Sequence, residues 1–250
     1  MRNLLHDMNP SLKFVLVALS MFAIAFFFNP LTPFIFWIGI LLLQVFMSKV
    51  NWKAWSLFML PFALGAFGYL WTTIVFAADT NGDVVWSFLE FQVTAEQLET
   101  ALSLAFRVMA FSTLSLMFAF TTDPVKFIMS LMQQLKLSPK LAYGVLVGYQ
   151  FLPVMKDQFQ QIQQAHRLRG AELEKNALRR LLGMRRILIP MLAGAVRNAE
   201  RSAFAMEARG FTGEARSDYF EVIKLRKVDA AMTAVFLLLL IASCSAEYWF

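Results

Sequence analysis

Leu98–Phe120 reads LETALSLAFRVMAFSTLSLMFAF. As a helix this run is long and apolar enough to cross about 30 Å of hydrocarbon. Its two flanks differ. The preceding loop, Ala77–Thr100, carries Asp79, Asp83, Glu90, Glu96 and Glu99 and no Lys or Arg. The following block, Thr121–Val228, holds 18 Lys/Arg against 9 Asp/Glu, while the rest of the chain holds 5 against 8. Cytoplasmic segments collect Lys and Arg, so the run predicts both a membrane helix and its direction.

Four more segments have this character: about Leu12–Phe28, Leu31–Met47, Ala54–Ala77 and Ala230–Ala246. Asn29-Pro30-Leu31-Thr32-Pro33 makes a short turn between the first two, and Pro61 is placed to kink the third. Arg2 and Lys13 flank the first span, and Lys49 and Lys53 separate the second from the third. The alternation predicts five spans, a cytoplasmic N-terminus and an external C-terminus in the cell membrane. Composition agrees. Of 250 residues 58% are hydrophobic and only 16% charged, against about 25% charged in an average soluble domain. The first apolar run leads into further spans, so it reads as a retained helix rather than a cleaved signal.

The basic block is too long for a structureless loop. Thr122-Asp123-Pro124 offers an N-cap with proline at the first helical position, and Ser138-Pro139 repeats the device. From Pro153 to Arg169, Met155, Phe159, Ile162 and Ala165 fall at helical spacing, and Gly170 is a natural terminator. A second long helix is expected from Pro190 to Arg209, ended by Gly210. On it Ala195, Ala199 and Ala203 form a small-residue ladder suited to close helix crossing. The expected fold is all-α and polytopic. Residues 1–120 hold four spans, 121–228 form a cytoplasmic coupling domain with two long crossed helices, and 229–250 supply the fifth span.

Both long helices end in Arg-Gly, as Arg167-Leu168-Arg169-Gly170 and Glu207-Ala208-Arg209-Gly210-Phe211. Either end alone is ordinary capping, with arginine complementing the helix dipole. Twice in one block, about 40 residues apart, the pattern suggests cationic plugs for acidic grooves on partner proteins. Guanidinium fits that task because its planar fork bonds a carboxylate through two N–H groups.

These motifs resemble the transmembrane coupling subunit of energy-coupling factor (ECF) transporters, the CbiQ/EcfT family, in which two crossed helices end in Ala-Arg-Gly-like motifs that dock on ATPases. Ala208-Arg209-Gly210 matches in full, and Leu168-Arg169-Gly170 carries leucine for alanine. Leu5-His6-Asp7-Met8-Asn9-Pro10-Ser11-Leu12-Lys13 is similar to the family's entry to the first span, with Asn for the usual Asp and Ser for the usual Arg. The resemblance covers nearly the whole chain. It implies a non-catalytic subunit without a cofactor of its own, two ABC-type ATPase partners that hold ATP and Mg, and a separate membrane subunit that binds the substrate. That substrate is a vitamin, a vitamin precursor or a metal ion. The implied docking set is Arg167, Arg169, Gly170, Ala208, Arg209 and Gly210. The sequence is consistent with ATP chemistry elsewhere, since it holds no Gly-Lys pair and hence no phosphate loop.

Other features read more plainly. Arg107, inside the fourth span, either faces a partner or pairs internally, with Glu99 or Glu96 earlier in the same run. Asp79, Asn81, Asp83, Val85, Ser87 and Glu90 have EF-hand ligand spacing, but Val84 stands where glycine is required, so an acidic external turn is expected. His6 and His166 lie far apart and Cys244 is the one cysteine, so no metal site is expected. Trp52, Trp86, Tyr248 and Trp249 suit the membrane interface. The basic block lacks the interleaved aromatics of a nucleic-acid module. Two alternatives stay open: a self-contained membrane transporter, for which no internal repeat is visible, and a membrane scaffold that works without ATPases.

Overall fold

A single turn, α1 (Leu4–Asp7), leads into a helix that is started by its own sequence. The Asn9 side-chain oxygen accepts the amide N–H groups of Ser11 (3.1 Å) and Leu12 (3.5 Å), and Pro10 stands where no donor is needed. α2 (Pro10–Ala25) follows. The structure is a computed structural model and describes residues 4–27, 29–76, 84–88, 91–169, 177–214, 219 and 221–245.

Asn29 Oδ1 takes the Leu31 N–H at 3.0 Å and opens α3 (Leu31–Met47). α4 (Trp52–Phe76), with Pro61 inside it, runs up to the acidic loop. A feature there was not foreseen: β1 (Val84–Phe88) and β2 (Phe91–Thr94) form an antiparallel hairpin with Trp86 opposite Val93. An extended strand over Val84–Phe88 is not the loop of an EF-hand. Four other ligand positions of that motif, Asp79, Asn81, Asp83 and Glu90, lie outside the described residues. α5 (Ala95–Thr121) descends from the hairpin. After it come α6 (Pro124–Gln134), α7 (Pro139–Leu168), α8 (Ala177–Ala208) and α9 (Lys227–Ser245).

The protein is a helical membrane protein. Five apolar helices stand where the sequence placed five spans. α4, α5 and α9 are long and apolar enough to cross a bilayer. α2 and α3 have 16 and 17 residues and rise about 24–26 Å, somewhat less than a hydrocarbon core of about 30 Å. Their surfaces are those of lipid-exposed helices. On α4, Leu57, Leu64 and Phe67 are each more than 60% exposed, which water would penalise and acyl chains do not.

Two units emerge from the packing: Met1–Ser130 with Ile223–Phe250, and Leu131–Val222. The first is the apolar bundle. Its core joins Leu16, Ile24, Phe36, Ile40, Leu114 and Phe236 from α2, α3, α5 and α9. α2 and α5 run antiparallel and are tied at both ends. The Lys13 ammonium donates to the Thr121 carbonyl at 3.1 Å, and the Arg107 guanidinium donates to the Phe27 carbonyl at 2.5 Å. Fourteen residues separate the ties on each chain (27 − 13 and 121 − 107), so the two helices keep one register. α3 meets α9 at Gly39, where a Cβ would collide with the Leu239 side chain.

The second unit corrects the expected helix starts. Pro153 and Pro190 were read as openings of the two long helices. Instead both lie inside longer ones, α7 and α8. Proline removes one backbone donor and crowds the carbonyl four residues back, but a long helix packed on a neighbour continues through it. Pro124 and Pro139 do open helices as expected. Asp123 Oδ1 accepts the N–H groups of Val125 (2.8 Å) and Lys126 (3.1 Å), whereas Ser138 makes no side-chain cap bond.

The Gly39 contact gives a graded test. Gly39→Ala is expected to be tolerated, because the Leu239 side chain can swing away. Gly39→Ile should cost about 1–3 kcal/mol through overpacking. Thermal unfolding in mild detergent, followed for both variants, checks the order. Equal midpoints would show that α9 does not depend on this contact.

Candidate functional site

Both arginine-tipped ends lie in the second unit. α8 finishes in an αL glycine: Gly210 has φ +76°, its N–H donates to the Glu207 carbonyl (2.9 Å), and the Phe211 N–H reaches back to the Met206 carbonyl (3.0 Å). That is a Schellman-type end, and glycine alone adopts it without a Cβ clash. The chain then folds onto the start of α7. The Phe211 ring packs edge-on against Tyr143 at 5.4 Å between centroids. The Lys140 stem occupies the place where a Cβ on Gly213 would sit, and Gly213 too has positive φ, +74°.

α7 ends differently. The Arg169 N–H donates to the Ala165 carbonyl at 3.2 Å, and Leu168 projects with 91% of its surface exposed. Gly170 lies outside the described residues. Arg167, Arg169, Ala208 and Arg209 are all exposed.

The return of the chain after α8 places the two ends relative to each other. Arg209 stands beside the N-terminal end of α7, and Arg169 stands at its C-terminal end. From Tyr143 to Arg169 is 26 residues, about 39 Å of helix. The arginines are therefore at opposite ends of one rod and do not share one pocket.

α7 and α8 meet on one face each. On α7, Phe151, Met155, Phe159 and Ile162 are half-buried, largely as the periodicity implied, but His166 is half-buried in place of Ala165, which is exposed. On α8 the half-buried ladder is Gly194, Asn198, Ser202 and Met206. It is offset by one residue from the alanine ladder: Ala195 is half-buried, while Ala199 and Ala203 are exposed. At the contact a Cβ on Gly194 would lie 3.3 Å from Gln158 Oε1, so glycine makes room for that amide.

Arg107 belongs to the bundle, where it donates to the Phe27 carbonyl, just past the C-terminal end of α2. There its charge opposes the negative end of the helix dipole. The sequence supplied only candidate partners in its own helix, Glu96 and Glu99. A carbonyl 80 positions away gives no signal in a linear pattern. Among the described residues no group of three or more His, Cys, Asp or Glu could hold a metal ion. His6 is exposed in α1, and Cys244 is half-buried in α9.

Residues 1–219 match the CbiQ family, described as cobalt transport protein. The chain belongs to the CbiQ family. It is also similar to proteins named energy-coupling factor transporter transmembrane protein EcfT. That of Streptococcus thermophilus is 27% identical over 86% of this chain and 84% of its own. The Ruminiclostridium cellulolyticum protein is 25% identical over 99% and 94%. The Thermotoga maritima protein is 25% identical over 91% and 84%. The apolar helices described above are thus those of an ECF transporter family member.

The Gly210 end is testable by itself. Gly210→Val forces a β-branched residue into the left-handed region and should cost about 1–2 kcal/mol. It should also loosen the Phe211–Tyr143 contact, which raises protease cleavage after Arg209. An unchanged cleavage pattern would show that positive φ at this position does not hold the end in place.

Proposed function

We propose that the chain is the transmembrane coupling subunit of an ECF-type ABC uptake transporter. It passes ATP-driven motion from two ATPase subunits to a membrane subunit that binds the substrate. One observation carries this reading: two exposed arginine-tipped helix ends sit about 39 Å apart along α7, a separation suited to two docking partners. An exposed guanidinium at a helix end can enter an acidic groove and form a bidentate, charge-assisted pair. A helix behind it transmits displacement better than a loop would. The proposed docking set is Arg167, Arg169, Gly170, Ala208, Arg209 and Gly210. The region of helix crossing is assigned to Gly194 and Ala195, with Asn198, Ser202 and Met206 along the same half-buried face.

ATP and Mg are assigned to the partner ATPases, and catalysis with them. The cargo is a vitamin, vitamin precursor or metal ion chosen by the separate subunit. The family description names cobalt transport, while the EcfT relatives carry no substrate in their names. The protein is placed in the cell membrane with its N-terminus and coupling domain cytoplasmic and its C-terminus outside. The acidic loop before α5 and the basic block after it support that orientation.

The decisive variant is Arg169→Glu with Arg209→Glu. Both ATPases should be lost from the complex purified in mild detergent, and uptake should fall at least about tenfold, a barrier change of about 1.4 kcal/mol. Retained ATPases with persistent uptake would remove the docking role. Orientation has its own test on a Cys244→Ser background. An impermeant maleimide should label Asp79→Cys in intact cells and Lys156→Cys only after permeabilisation. The opposite pattern would invert the proposed topology.

A further inference from the structure

The chain leaves the apolar bundle after α5 and returns to it before α9, and both passages are bound to one short N-terminal segment. At the exit, the Lys13 ammonium donates to the Thr121 carbonyl (3.1 Å), to Thr121 Oγ1 (3.2 Å) and to Thr122 Oγ1 (3.4 Å). It also donates to the Leu5 carbonyl at 2.5 Å. At the return, Asp229 accepts the Asn9 N–H (2.8 Å) on one carboxylate oxygen and the Arg226 N–H (2.6 Å) on the other. Lys13, Asn9 and Asp229 are 1%, 3% and 2% exposed. Further along, the Gln133 side chain donates to the Glu221 carbonyl at 2.7 Å, which ties the outgoing and returning segments to each other once more.

This is more polar machinery than helix packing needs. A buried ammonium is costly unless it is fully bonded, and apolar residues of similar volume would commonly hold the same contacts at no loss of stability. What the charges add is directionality. They fix two chain passages, from opposite ends of the coupling domain, to one point in the bundle. Neither passage can shift against α2 without breaking a buried charge-assisted bond.

We propose that Leu5–Lys13 is a brace through which displacement of the coupling domain is delivered to the spans, with Lys13 and Asp229 as its positioning residues. The brace rests on the coupling function proposed above. Without it, the ATPases would dock and turn over ATP, but the passages would yield and the spans would stay still.

The test uses the full transporter, purified with its partners and reconstituted in liposomes, with Lys13→Met, Lys13→Arg, Asp229→Asn and Thr122→Val in this chain. Lys13→Met and Asp229→Asn should retain both ATPases and at least half the ATP turnover, while uptake per ATP falls about tenfold or more. Lys13→Arg should recover part of that loss. Hydrogen exchange should speed up together in peptides covering residues 119–127 and 223–231.

If Lys13→Met fails to accumulate, Thr122→Val carries the test, with an expected threefold or greater loss of uptake per ATP. Uptake per ATP within twofold of the unaltered transporter would overturn the brace, as would exchange that rises only in residues 5–13. If the unaltered chain retains no ATPase, the coupling reading itself fails. The exchange experiment still decides whether the two passages are held through Lys13.

Discussion

Hydrocarbon offers no hydrogen-bond partner, and much of the bundle follows from that constraint. Every backbone polar group on a span must find its partner within the protein, and several side chains do the same. Thr121, Ser112 and Thr72 turn their hydroxyls back to the carbonyls of Met117, Val108 and Gly68, four residues before each. Trp37 donates its indole N–H to Thr113 across α3 and α5 at 3.1 Å. The two cations take carbonyls at the ends of segments, Arg107 at Phe27 and Lys13 at Thr121 and Leu5, where the helical ladder leaves acceptors spare. Because these two ties stand fourteen residues apart on both chains, they set height as well as contact. A slip of α2 along α5 by one turn would strand both charges in an apolar interior.

The second unit obeys a different economy. Its helices carry charges and glutamines along their outer faces, and among the described residues a narrow stripe of each is half-buried or buried. It is held by a few specific fits: Gln158 in the space left by Gly194, Phe211 on Tyr143, and Lys140 over Gly213. Contacts of this kind fix two rods at a few points and leave most of their described length exposed. A larger shared core would weld them into a block and bury the faces that are now exposed.

Much of this was legible in the residues, and the misses have physical causes. The apolar runs read directly because lipid demands length and uniformity. Asp123-Pro124 and Gly210 read directly because a cap is a local device. Pro153 and Pro190 misled because the same residue opens a helix or sits within one according to tertiary support, which local sequence does not record. The alanine ladder misled for a related reason. Ala195, Ala199 and Ala203 and the observed ladder, Gly194, Asn198, Ser202 and Met206, both repeat every four residues, and small size favoured the wrong one. What decided the face was the partner residue Gln158, some 36 positions away. Lys13 was visible only as a charge near the start of a span, because its partners are scattered over more than 100 positions.

The two arginine ends, alike in sequence, stand at different places along α7. Arg209 is followed by a glycine turn and an aromatic ring that fold back onto α7, so its position is referred to the N-terminal end of that helix. Arg169 sits at the C-terminal end of the same helix beside a leucine that is almost wholly exposed. A force applied at Arg209 acts near the segment that joins α7 to α6 and so to the outgoing passage. A force applied at Arg169 acts through the length of α7, with Gly194 and Gln158 as the point of contact along the way. Under the proposed docking, equal motions at the two ends would therefore differ at the root of α7, in a direction set by where along the rod α8 bears on it.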